Sequence, residues 1–157
     1  MLTKTSESAI KLLIFLTLQK SDLPLSPRYL AEMIDESPSY LAKITQMLVK
    51  AGILRAHRGV SGGVTLVNDS RQITLFAIVE ACQGKILGNY CDEVEDLSQV
   101  CPYHKAMYEV YQATIQVLQR WTLADLAAPF KASRNGHENC RMGGICLKVR
   151  KVRGAPR

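Results

Sequence analysis

A mainly α-helical fold with one small β-hairpin is predicted for this chain, on three observations. Apolar residues recur at three- and four-residue spacing along most of its length. Two helix-opening pairs, Ser26-Pro27 and Ser37-Pro38, punctuate the first half. A Gly-rich stretch, from Gly59 to Gly63, separates two short strand-like runs.

The elements follow in order. Residues 6–18 are apolar on nearly all sides, the pattern of a buried helix. Asp22 to Pro27 is a loop, and Ser26 caps a second helix over 27–34, whose Leu30, Ala31 and Ile34 share one face. Ser37-Pro38 opens a third helix that runs to Ala51 and stops at Gly52. Its Leu41, Ile44 and Leu48 face a core, while Ser39, Lys43, Gln46 and Lys50 share the opposite side. The run from Ile53 to Val67 is a hairpin with a cationic, Gly-rich tip. A fourth helix covers about 74–82, with Cys82 as a core residue, and an acidic loop follows from Gln83 to Val100. Pro102 opens the longest helical pattern, to about Leu126, with Pro129 as its stop. Tyr103, Met107, Val110, Thr114, Val117 and Trp121 recur along it at alternating intervals of four and three, the seam of a helix that pairs with another helix.

Composition and charge narrow the function. With 157 residues, 47% hydrophobic and 22% charged, one packed domain with an appendage is expected. No uncharged apolar stretch approaches the ~18 residues of a membrane span, and the stretch 10–18 contains Lys11. Glu7 in the would-be basic region and the lack of a small-residue cleavage site argue against a secretory signal, so a cytoplasmic protein without a membrane partner is expected. The net charge of +6 is unevenly placed. Residues 37–68 hold Lys43, Lys50, Arg55 and Arg58 and no acid, which points to a polyanionic partner. Residues 131–157 carry eight Lys/Arg against one acid.

Three short helices followed by a basic-tipped hairpin is the order of a winged helix-turn-helix, whose third helix enters the DNA major groove. The expected architecture is this module over 1–82, a loop over 83–101, a dimerisation helix over 102–128 and a basic, Cys-containing tail over 129–157. The expected DNA-contacting residues are Arg28, Ser39, Tyr40, Lys43, Gln46, His57, Arg58 and Gly62, with Arg58 reaching a minor groove or a phosphate. A palindromic site would call for two copies of the module, hence a homodimer. Two alternatives stay open at this point. A sequence-independent nucleic-acid binder would act through the basic tail. An enzyme using Cys91 or Cys101 with His104 is disfavoured, because no oxyanion-forming Gly-rich turn lies near them.

Ser39-Tyr-Leu, then Leu48-Val-Lys-Ala-Gly-Ile-Leu, then Arg58-Gly-Val-Ser-Gly-Gly-Val-Thr-Leu, closely resembles the signature of the Rrf-two family of bacterial winged-helix regulators, which includes IscR, NsrR, RirA and CymR. The resemblance runs from Leu2 to about Leu126. It implies a homodimer joined through the long helix, action at a palindromic operator, and that the loop over 83–101, before that helix, is a sensing loop.

Several family members hold an iron–sulfur cluster there through Cys-x5-Cys-x5-Cys, with a His three residues after the last Cys in IscR-type proteins. Cys91 stands at the first position, and Cys101 with His104 matches the last pair. Leu97 stands six residues after Cys91, so the middle cysteine is missing and another ligand is needed. The resemblance offers Glu7, where some relatives place a carboxylate from the partner subunit. The tail offers Cys140 and Cys146, separated by five residues that include Gly143 and Gly144. The expected cofactor is an iron–sulfur cluster, 2Fe-2S before 4Fe-4S. Zinc held by Cys3His and a metal-free thiol switch are the alternatives.

Overall fold

The computed structural model describes residues 2–19, 23–59, 62–86 and 100–128. Among these residues six α-helices and one hairpin follow in the order α1 (Lys4–Gln19), α2 (Pro27–Ile34), α3 (Pro38–Lys50), β1 (Leu54–His57), β2 (Gly63–Leu66), α4 (Leu75–Gln83), α5 (Pro102–Arg120) and α6 (Leu123–Leu126). The expected fold class, mainly helical with a β-hairpin wing, is the one observed. Among the described residues no helix is long and apolar enough to cross a membrane.

α1 is the central helix. Ala9, Leu12, Leu13 and Phe15 are wholly buried, and the ring of Phe15 meets that of Tyr29 edge-on at 6.2 Å between centroids. α2 adds Leu30, Ala31 and Ile34, and α3 adds Leu41, Ile44 and Leu48, to the same core. Serines open both helices: Ser26 Oγ accepts from the Tyr29 N–H at 3.2 Å and Ser37 Oγ from the Tyr40 N–H at 3.3 Å, each with proline in the first turn. Between them Asp35 takes the left-handed conformation (φ 62°), which Asp tolerates better than most residues with a Cβ.

β1 and β2 pair antiparallel in the register Leu54↔Leu66, Arg55↔Thr65, Ala56↔Val64 and His57↔Gly63. Leu25 adds a one-residue bridge to β2: its N–H donates to Val64 O at 3.2 Å, and the Val64 N–H returns a bond of 3.0 Å. This approach explains Gly63, where any Cβ would run into the Leu25 backbone. Gly62 is equally constrained, because a Cβ there would meet the carbonyl of His57.

The long helix is shorter than its periodicity predicts. It ends at Arg120, not near Leu126, so the expected single helix over 102–128 is two elements. Thr122 and Asp125 form a capping box: the Thr122 N–H donates to Asp125 Oδ2 at 2.9 Å, and Thr122 Oγ1 accepts from the Asp125 N–H at 3.3 Å. Trp121 is extended, and its carbonyl accepts from the Leu75 N–H at 2.8 Å. α6 then turns the wholly buried Leu123 into the core.

Candidate nucleic-acid interface and sensing site

α3 presents Ser39, Lys43, Gln46 and Lys50 to solvent on one side, as the core contacts of Leu41, Ile44 and Leu48 require. Tyr40, also expected at the DNA, has contacts within the protein. It is half-buried, its hydroxyl donates to Thr5 Oγ1 at 3.2 Å, and Lys4 Nζ lies 5.7 Å from its ring centroid. Tyr40 therefore helps seat α3 against α1. Arg28 is exposed on α2 and reaches Glu32 at 3.8 Å; so loose and solvated a pair constrains the guanidinium little.

On the wing, Arg55 and His57 leave the same side of β1, and His57 Nε2 lies 2.9 Å from Thr65 Oγ1 across the hairpin. Arg58 is exposed at the tip, and Gly62 lets the turn close with a 2.9 Å bond from its N–H to Gly59 O. Arg55 is the residue absent from the predicted contact set that the geometry adds. Its period-two spacing from His57 was the available signal. Exposed helix face and wing together form a surface whose described side chains between 37 and 68 include four Lys/Arg and no carboxylate.

Cys101 is exposed at the N-cap of α5, with no side-chain capping bond, and His104 follows one turn later. Exposed and free of a capping bond, the Cys101 sulfur is accessible to a metal or to an oxidant. Glu7 lies in the first turn of α1, at an apolar groove of about 380 Å³ with Leu2, Ile10, Ile14, Leu75 and Leu126. Among the described residues no three metal-ligating side chains gather, so Glu7 does not join Cys101 and His104 within one chain. Cys91, Cys140 and Cys146 lie outside the described residues. The described pair offers a cysteine sulfur and an imidazole, donor types that suit iron–sulfur or zinc, and two further ligands would be required. Cys82 differs: it is packed against the core, and burial pushes its thiol pKa up.

Along α5 the predicted seam faces outward. Tyr103 is 67% exposed, Val110 58% and Val117 47%, with Met107 and Trp121 also exposed. A row of large apolar side chains in water is unusual for a finished surface.

Residues 2–129 match the Rrf2 (Rrf-two) family, described as iron-dependent transcriptional regulators. The HTH-type transcriptional regulator NsrR of Halalkalibacterium halodurans is 29% identical over 129 residues, covering 80% of this chain and 88% of NsrR. The structure of CymR, the global cysteine regulator of B. subtilis, is similar at a TM-score of 0.67 and 26% identity, covering 81% of this chain and 95% of CymR. T. potens IscR has the same fold, with a TM-score of 0.65 at 22% identity over 86% of this chain and 93% of IscR. These relatives are regulators, not enzymes. The wing, the basic face of α3 and the match over residues 2–129 establish that this chain belongs to the Rrf2 family of winged-helix transcriptional regulators.

Proposed function

We propose that the protein is a homodimeric regulator that binds a palindromic operator, and that the chemical state of its cysteine loop sets operator affinity. The observation that carries the DNA reading is the carboxylate-free surface of α3 and the wing. Lys43 and Gln46 would meet base edges and phosphates in the major groove, and Arg55, His57 and Arg58 would hold the backbone or the adjacent minor groove. The exposed seam of α5 supports the dimer, because pairing two such helices would bury it.

For the sensing site we favour an iron–sulfur cluster bound by Cys91, Cys101 and His104, with Glu7 of a second copy, or Cys140 or Cys146, as the remaining ligand. Such a cluster would report nitric oxide, oxygen or iron supply through its own loss or change of charge. The residues of this chain would hold it against the start of α5, where the positive end of the helix offsets anionic charge. A thiol switch is the second reading. The missing middle cysteine favours it, as does the similarity to CymR.

The DNA reading is tested on an operator selected in vitro from random duplexes. Lys43→Ala and Arg58→Ala should each weaken operator binding by roughly 5- to 100-fold, the range of a lost base or groove contact. Binding to scrambled DNA should fall only a few-fold. Equal losses on both DNAs would contradict sequence-specific recognition by these residues.

A further inference from the structure

The first turn of α1 touches both ends of the regulatory problem. Thr3 caps the helix, its Oγ1 accepting from the Ser6 N–H at 3.3 Å. In a capping box the third helical side chain reaches back to the N–H of the cap residue. Here that side chain is Ser6, which is too short. Gln83, the last residue of α4, supplies the oxygen instead: its Oε1 accepts from the Thr3 N–H at 3.1 Å and from Ser6 Oγ at 2.6 Å. The cap of α1 is thus completed from 80 residues away.

The same turn holds the helix-turn-helix. Thr5 accepts from the Tyr40 hydroxyl, Lys4 lies over the Tyr40 ring, and the buried Ser8 hydroxyl donates to Glu36 Oε1 at 2.6 Å. Tyr40 and Glu36 flank the start of α3. On the other side, Gln83 is followed by Gly84 (φ 76°), where the chain leaves α4 for the loop that ends at Cys101.

We propose that this cap, supplied by Gln83 from the end of α4, couples the cysteine loop to the recognition helix. The proposal rests on the reading that the loop carries the signal. A loop state that draws Gln83 away leaves the Thr3 N–H without its acceptor and the wholly buried Ser6 hydroxyl with only Thr3 Oγ1, 3.1 Å away, among its described partners. The first turn of α1 then loosens, Tyr40 loses its partners, and α3 shifts on its seat. A cavity of about 250 Å³ beside Gln83, walled by Leu2, Ile86, Thr114 and Leu118, leaves room for that side chain to move.

Hydrogen exchange on the full-length protein tests the mechanical link. Gln83→Ala should raise exchange in α3 about fivefold, the equilibrium equivalent of one N-cap, although among the described residues the Gln83 side chain bonds to Thr3 and Ser6 and not to α3. Gln83→Glu keeps the accepting oxygens and should restore protection. An increase confined to the start of α1 and the end of α4, or one equal in both variants, overturns the coupling. The second measurement is the ratio of operator affinities between two preparations. One pair is iron- and sulfide-reconstituted against chelator-treated protein, and the other is diamide-oxidised against dithiothreitol-reduced protein. Gln83→Ala should pull the wild-type ratio toward one, and a ratio it leaves intact overturns the coupling. A wild-type ratio of one in both pairs overturns the sensing reading alone, because hydrogen exchange judges the link independently.

Discussion

Cys82 and Cys101 occupy opposite environments, and the difference sets their chemistry. Burial raises the pKa of Cys82 above its ordinary 9.0 and keeps it protonated near neutrality, whereas Cys101 is exposed at a helix N-terminus. Native alkylation with iodoacetamide at pH 8, read by peptide mass spectrometry, should label Cys101 on the order of tenfold faster than Cys82. Equal rates would contradict the assignment of Cys82 to the core. The sign of the pH effect follows. Stability from the neutral Cys82 thiol is present below pH 9.0 and lost as pH rises through the raised folded value. Asp69 behaves oppositely: its hydrogen bonds with Arg71 lower its pKa to about 2, so its contribution is present above 3.8 and lost as pH falls toward 2. At this scale the sequence was legible where a residue's role is local. Ser26 and Ser37 cap as their Ser-Pro signatures say, and Gly62 and Gly63 stand where a Cβ would collide with backbone. Tyr40 was not legible, because its partners Lys4 and Thr5 come from a distant turn that no spacing within α3 encodes.

Among the elements, α5 carries the clearest expectation. Its Tyr103, Met107, Val110, Val117 and Trp121 form an exposed apolar row, and a second copy of the same helix is the occupant proposed for it. Val110→Glu places a charge in the middle of that row and should convert the dimer to monomer at micromolar concentration. Sedimentation velocity checks this, with circular dichroism to confirm that the helices remain. A variant that stays dimeric would contradict pairing through α5. Periodicity showed which face of this helix is apolar but not where the helix ends. The four-three spacing runs through Trp121 without interruption, while the backbone turns out at Thr122 because Asp125 can close a capping box there. The Thr-x-x-Asp signature was in the sequence, outweighed by the hydrophobic repeat. Loop-to-helix connections of this kind depend on tertiary bonds, here Leu75 to Trp121 and Leu123 to Ile73.

For the whole molecule, the DNA-facing half and the sensing half differ in how far residues explain them. The former follows from short-range patterning: an amphipathic α3, a Gly-rich turn and an acid-free charge distribution. Its match to the Rrf2 family spans residues 2–129. The proposed sensing site depends on residues far apart in sequence, and the family spacing that would identify its ligand set is broken where Leu97 stands in place of a cysteine. Of its candidate ligands, Cys101, His104 and Glu7 have described positions, while Cys91, Cys140 and Cys146 lie outside the described residues. The central claim is that this loop holds an iron–sulfur cluster. Anaerobic purification, followed by a visible absorption spectrum with iron, acid-labile sulfide and zinc analysis, tests it most directly. A brown protein with iron and sulfide in stoichiometric amounts is expected, with loss of both in Cys101→Ala. A colourless protein lacking iron and sulfide would contradict it.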